Sequence, residues 1–152
     1  MNKIDKLGLE LDEFVTFKIN DQLFGLNVLN VRDVFKPNKI THIPKSPEKI
    51  FGVLNLRGKI VTVIDMYSIL GLSDTNCIDN RGSMNIVVEY DNESYALLVD
   101  DIGDVMYLSN KTFDDNPKTL SEEWASLSNG IHKLEDDILI ILDVEKMFSF
   151  IK

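Results

Sequence analysis

Two ordered, gapless blocks of this chain resemble one another, and that internal repeat limits its possible folds more than any other feature. Residues 14–35 (FVTFKINDQLFGLNVLNVRDVF) lie over residues 85–106 (NIVVEYDNESYALLVDDIGDVM). Leu26, Val28, Asp33 and Val34 fall on Leu97, Val99, Asp104 and Val105, while Phe24 falls on Tyr95 and Val31 on Ile102. In the same order, residues 52–70 (GVLNLRGKIVTVIDMYSIL) lie over residues 130–148 (GIHKLEDDILIILDVEKMF). Here Gly52, Leu56, Ile60 and Asp65 fall on Gly130, Leu134, Ile138 and Asp143. Strands rich in Val, Ile and Leu resemble one another by chance, but matched Gly and Asp in two ordered blocks favour duplication of a small β unit. A pair of such units makes a cleft between its halves and offers several outer faces, which suits a connector better than a catalyst.

The period inside each block is two, the period of a half-buried strand. Val15, Phe17 and Ile19 share a face, residues 20–21 turn, and Phe24, Leu26 and Val28 return, which predicts a hairpin. The chain continues as strand or irregular structure to Phe35 and stops at Lys36-Pro37-Asn38. Residues 40–43 read as a short extended piece inside a turn-rich loop, because Ser46 before Pro47 is biased away from helix. Residues 53–56 and 60–64 form a second hairpin around Arg57-Gly58, with one or two helical turns over residues 67–72 ending at Gly71. The second half replays the plan, with turns at Asp91-Asn92 and at residues 135–137. Residues 119–127 form the one amphipathic helix expected, capped by Thr119 with Glu122 or by Ser121, with Trp124 and Leu120 or Leu127 near one face. Many short strands with regular turns and little helix place the chain in the all-β class, as a barrel or a sandwich. The expected organisation is one domain over residues 13–150, in halves 13–72 and 84–150 joined by a polar hinge at 73–83. Residues 1–12 are expected to be a mobile arm or a weak short helix.

With 152 residues, 44% hydrophobic and 27% charged, the chain can bury a core without staples. Its net charge of -9 repels polyanions, which argues against nucleic acid and anionic membrane surfaces as partners. The single cysteine, Cys77, leaves no intramolecular disulfide and sits in a polar loop, a safe place for a thiol in a reducing compartment. The N-terminal stretch has no apolar run of signal-peptide length, and no window approaches a membrane span. A cytoplasmic protein without direct membrane insertion is expected.

Catalytic templates fit poorly. Residues 52–59 (GVLNLRGK) superficially resemble a phosphate loop, but the spacing is one residue too long, Ile60 stands where Ser or Thr binds magnesium, and no long helix follows. Asp100 and Asp101 end a hydrophobic strand, with Asp104 nearby, as in magnesium-dependent phosphoryl-handling sites. Such sites need a parallel sheet with intervening helices, and the repeat sets the pair on Leu29 and Asn30, so a solvated turn is the plainer reading. His42 and His132 lack neighbouring ligands at metal spacing, and Cys77 lacks the surroundings of a reactive thiol. No cofactor, metal site or enzymatic activity is expected.

Two constellations read as recognition. Val31-Arg32-Asp33-Val34-Phe35 and its repeat, residues 102–106, set apolar residues around an acid; the plainer reading is a strand edge that half-buries Val31 and Val34. Asn55-Leu56-Arg57-Gly58 puts a cation on a hairpin turn, where it is either solvated or forked onto a carboxylate of a partner or of Asp33. The second repeat has Glu135 at the Arg57 position, so the turn reverses its charge between halves.

Those motifs, with residues 40–66 carrying the string Gly-Val-x-Asn-Leu-Arg-Gly-x-Ile-x-x-Val-x-Asp at residues 52–65 and YALLVDDIGDVMYL at 95–108, resemble the chemotaxis coupling proteins of the CheW family. The resemblance runs from Phe14 to about Phe148 and leaves no room for a kinase core or a receiver, so the chain looks like the stand-alone coupler. It implies two small SH3-like five-stranded β-barrels packed together, with one or two short helices. It also implies a non-catalytic adaptor between chemoreceptor cytoplasmic tips and the regulatory domain of the histidine kinase CheA, associated with receptor arrays through those partners. Carried onto this chain, the receptor groove includes Val31 and Val105, with Asp33 and Arg57 pairing beside it, and Val34 faces the kinase. Phe35-Lys36-Pro37 and Asp100-Asp101 depart from the family pattern and bear on partner specificity. Two alternatives remain: a scaffold of another receptor–kinase array, such as one for surface motility, or a magnesium-dependent phosphoryl handler using Asp100, Asp101 and Asp104.

Overall fold

The tight turns show first how the repeat folds. Asn20 and Asp21 have φ of 52° and 67°, and their counterparts Asp91 and Asn92 have 53° and 65°. Consecutive left-handed residues match the twist of flanking strands and close a two-residue hairpin, and Asn and Asp tolerate that conformation. In the computed structural model, which describes residues 3–4, 10–36, 50–70 and 84–151, these turns join β2 (Glu10–Ile19) to β3 (Gln22–Asn27) and β7 (Met84–Tyr90) to β8 (Glu93–Val99). The remaining strands are β1 (Lys3–Ile4), β4 (Val31–Phe35), β5 (Ile50–Leu56), β6 (Lys59–Asp65), β9 (Asp101–Leu108), β10 (Phe113–Asp114), β11 (Ser128–Lys133) and β12 (Ile138–Leu142). Three short α-helices are described, α1 (Met66–Ile69), α2 (Glu122–Ala125) and α3 (Val144–Ile151), with single 3-10 turns at Val28–Asn30 and Asn110–Thr112.

The two halves of the sequence are not the two sheets. One sheet runs β4-β7-β8-β6-β5; the other runs β1-β2-β3-β12-β11-β10, with β9 also paired to β2. Each therefore takes two strands of the unit from one repeat and three from the other. The pairings that make the exchange are the same in both. Val34 and Phe35 lie opposite Ile86 and Asn85 where β4 meets β7, and Val105 and Met106 lie opposite Val15 and Phe14 where β9 meets β2. The parallel contacts repeat too: Thr62 and Val63 pair with Tyr95 and Ala96, while Ile140 and Ile141 pair with Phe24 and Gly25. Every one of these matches the alignment read from the sequence, so the duplication is structural. The molecule is all-β, with two SH3-like five-stranded units to which one sheet adds the two-residue strands β1 and β10.

Matched Gly and Asp have local causes. A bulge separates Ile50 from Gly52 on β5 and Ser128 from Gly130 on β11. Gly130 sits at φ 153°, and a Cβ there would lie 2.5 Å from the Phe113 ring and 2.6 Å from the Asp114 carbonyl, so only glycine fits. Asp65 caps α1, its Oδ1 accepting from the Tyr67 and Ser68 amides at 3.0 and 3.4 Å. Asp143 does the same for α3, accepting from the Lys146 amide at 3.2 Å.

A central core joins the sheets. Phe17, Ile19, Phe24 and Leu26 from one, Ile86, Val88, Leu97 and Val99 from the other, and Met66, Met147 and Phe148 from the helices belong to one buried cluster. Phe148 of α3 stacks on Tyr90 at 4.7 Å and tilts on Tyr95 at 4.5 Å, so the helix that follows β12 packs on the opposite sheet. Each such ring contributes about 2–3 kcal/mol by burial. Trp124 donates from Nε1 to the Leu70 carbonyl at 2.8 Å, tying α2 to the end of α1. A smaller private core fills each unit: Leu54, Val61, Val63, Ala96 and Leu98 in one; Phe14, Leu139 and Ile141 in the other.

Two expectations are corrected, and two elements went unread. The weak short helix, one of the two readings of residues 1–12, does not form at Lys3–Ile4 or from Glu10 onward, which are strand: β1 pairs with β2 at Leu11 and Glu10. The helix expected over 119–127 shrinks to Glu122–Ala125, capped by Ser121, because Leu127 is drawn into the core and Ser128 opens β11. Helix α3 and strand β10 went unread, although the repeat places Val144 on Met66 and so points to α3. The extended piece at 40–43, His42, the Ser46-Pro47 turn, the helix end at Gly71, Cys77 and the hinge at 73–83 lie outside the described residues.

Candidate functional site: the β4 strand and the Arg57 turn

Strand β4 breaks the alternation of a plain strand. Val31 lies opposite Val88 and Asp33 opposite Val87, so β4 carries an extra residue there. The bulge lets Val31 and Val34 both pack against the central core while Asp33 turns away from it. Asp33 is then free to meet the β5–β6 turn. Its Oδ2 lies 3.0 Å from Arg57 Nη2, and its Oδ1 accepts from the Val34 amide at 2.9 Å. Oδ2 has no hydrogen bond of good geometry and is shielded from solvent, so the guanidinium is what neutralises it. Arg57 itself is open, with its side chain 78% exposed against 24% for Asp33. The predicted pairing of Asp33 with Arg57 is present.

The turn that presents Arg57 is strained. Arg57 has φ 53° and Gly58 φ 86°. Glycine takes such a conformation freely, but at the corresponding position of the other two-residue turns the chain uses Asn or Asp, and a long side chain there costs about 1 kcal/mol. Asn55 holds the turn by accepting from the Gly58 amide at 3.0 Å. Beside it, Arg32 on the bulge pairs with Glu89 of β7 at 3.5 Å. Glu89 was not read as a site residue; the β4–β7 pairing that brings it there joins the two repeats and is invisible to a hairpin-by-hairpin reading.

The other predicted residues are spread out. Val105 lies on β9 in the opposite sheet and is 45% exposed. It is the repeat counterpart of Val34, so the residue assigned to the receptor and the residue assigned to the kinase occupy one position of the unit, duplicated. In the second unit no ion pair forms between the corresponding Asp104 and Glu135, since both are acids. Asp100 accepts from the Asn20 amide of the β2–β3 turn at 2.8 Å and Asp101 from the adjacent Ile102 amide at 2.9 Å, so both carboxylates are engaged with backbone. Among the described residues no helix is long and apolar enough to cross a membrane.

Known proteins match this architecture over nearly the whole chain. A family model described as a CheW-like domain covers residues 13–152. A solved structure titled scaffolding protein TtCheW from Thermoanaerobacter tengcongensis superposes with a TM-score of 0.77 at 30% identity, over 91% of this chain and 93% of that one. The Chemotaxis protein CheW of Thermotoga maritima is 29% identical over 90% of this chain and 87% of its own length. That of Helicobacter pylori is 28% identical over 92% of this chain and 83% of its own.

Proposed function

Because the chain belongs to the CheW-like domain family, we propose that it is a non-catalytic adaptor. It couples the cytoplasmic tips of chemoreceptors to the regulatory domain of a CheA-type kinase in the cytoplasm. The observation that carries this reading is the match of the family model across both exchanged units, residues 13–152. The geometry supports it: an exposed arginine in a costly backbone conformation, anchored by a partly shielded acid, is built to meet something outside the chain. Val31, Asp33, Arg57 and Val105 belong to the receptor-facing surface, where a helical tip lays its apolar face against valines, and Val34 to the kinase-facing surface. Coupling then works by relative placement of two bound partners, which biases the kinase between its states. The unit that does this is residues 13–150 taken together, since neither sequence half holds a complete sheet.

The test is autophosphorylation of the cognate CheA-type kinase with clustered receptor tips, with and without this protein. Receptor-dependent stimulation only on its addition supports coupling. A folded sample that binds neither partner overturns the proposal.

A further inference from the structure

Residues 52–70 and 130–148 share four identities, and three have internal causes. The glycines follow bulges, the aspartates cap helices, and Leu56 and Leu134 pack against the private cores. Ile60 and its counterpart Ile138 do none of these, being 69% and 43% exposed. Each stands at the start of the second strand of a hairpin, and what lies behind it differs between the units.

On β12 the face of Ile138 continues to Ile140, which pairs with Ile131 of β11, and both are 3% exposed. The stretch before β11 lies on this face. Leu120 and Trp124 pack against the cluster that holds the two isoleucines, and Trp124 tilts at 5.5 Å on Phe24, the strand neighbour of Ile140. On the other hairpin the counterparts are Val53 and Thr62, paired across β5 and β6, with Asn55 opposite Ile60. Strand alternation puts these four on one face, because Leu54, Val61 and Val63 fill the private core from the other. Here Val53 and Thr62 are only half-buried, and Asn55 and Ile60 are exposed. The sequence accounts for the difference: between its aligned blocks the second repeat is longer, residues 107–129 against 36–51, and α2 lies in that stretch.

The covered face shows what the open one takes. α2 brings a helical turn with an aromatic ring on its apolar side and two acids, Glu122 and Glu123, in its sequence. The rim of the open face is cationic: Arg57 and Lys59 stand at the turn beside Ile60, and residues 50–64 hold no acid. The one acid of the neighbouring strand β8, Glu93, accepts from the Tyr95 hydroxyl at 2.9 Å. A helix bearing carboxylates complements such a rim, whereas Glu135-Asp136-Asp137 at the other hairpin turn repels one. We propose that the outer face of the β5–β6 hairpin, formed by Val53, Asn55, Ile60 and Thr62, docks a short acidic amphipathic helix of a partner protein, its apolar side on Ile60 and Val53 and a carboxylate beside Lys59. The face adjoins the surface assigned to the receptor but does not rest on that assignment.

The probe is acetyl-Thr-Leu-Ser-Glu-Glu-Trp-Ala-Ser-Leu-amide, the chain's own 119–127 segment, with a hydrocarbon staple replacing its first serine and its alanine to hold the helix. It is titrated into the ¹⁵N-labelled full chain. Saturable shifts confined to the amides of residues 53–62 are expected. Replacing both glutamates by glutamine, or Ile60→Ser in the protein, is expected to weaken binding at least about tenfold. Ile60 is exposed, so that variant keeps its fold, which its own spectrum verifies. Absence of saturable shifts, shifts around Trp124 instead, or equal binding by the glutamine peptide or by the variant overturns the site. Shifts of the same amides with protein concentration alone overturn the partner helix and make a second copy the occupant.

Discussion

Asp33 and Arg57 meet at 3.0 Å, while their counterparts in the second repeat, Asp104 and Glu135, are both acids. One duplicated geometry thus carries a neutralised pair in one unit and net negative charge in the other. A molecule with near two-fold backbone symmetry is thereby made unable to offer the same surface twice. For a connector that must tell two partners apart, such asymmetry supplies specificity through repulsion as well as attraction.

Arg57→Glu is expected to separate binding from folding. The arginine is exposed, so its ion pair contributes about 0.5 kcal/mol or less. Urea unfolding should shift by about 1–2 kcal/mol, because the shielded Asp33 oxygen loses its cation and gains a neighbouring acid. Binding to the receptor tip, followed by calorimetry, should fall strongly. A stability loss as large as the binding loss would mean that Arg57 merely holds the turn.

Val34 and Val105 share a position in the unit but not an environment. Val34 packs against the central core, whereas Val105 is 45% exposed. Val34→Asp should therefore cost about 2–3 kcal/mol of stability, by burying a charge near apolar neighbours. Val105→Asp should stay within about 0.5 kcal/mol of the parent. The second variant is then a clean probe of the surface: folded Val105→Asp is expected to bind the receptor tip more weakly, and undiminished binding would remove Val105 from the site.

How far the sequence carried the fold depends on what each residue touches. The hairpins were legible because period-two burial and their turn residues are local. Gly52 with Gly130 and Asp65 with Asp143 marked real constraints, a bulge and a helix cap, though alignment alone did not say which. Strand exchange was not legible. Whether β7 returns to its own repeat or crosses to β4 depends on a pairing that leaves no local trace. The Asp33–Arg57 pair was anticipated from charge and motif. The bulge that makes it possible was not, because VRDVF reads equally well as a regular strand.

Asn85 is a defect the repeat exposes. Its counterpart Phe14 belongs to a private core, but Asn85 is fully buried and its side-chain nitrogen and oxygen have no hydrogen-bond partner among the described residues. An unsatisfied buried amide costs about 1–3 kcal/mol. Asn85→Val suits the strand and removes both orphaned atoms. The expected result is a gain of about 1–2 kcal/mol in urea unfolding. A loss of similar size would show that the amide is satisfied in solution.

His132 should make stability fall on mild acidification. Burial depresses its pKa below the ordinary 6.5, against a smaller upward pull from Asp12. Between that depressed value and 6.5 the unfolded chain binds more protons than the folded one, so stability rises with pH across this window. Above 6.5 the contribution is fully present; as pH falls toward the folded value it is lost, and below that it levels off. His132→Gln keeps a polar group near Thr112 and removes the titration. Urea midpoints measured at steps from pH 7.5 to about 5.5 should converge between parent and variant on acidification, because only the parent loses this term. Parallel curves for the two proteins would mean that His132 titrates in the folded protein as it does in the unfolded chain, and that its burial is not kept in solution.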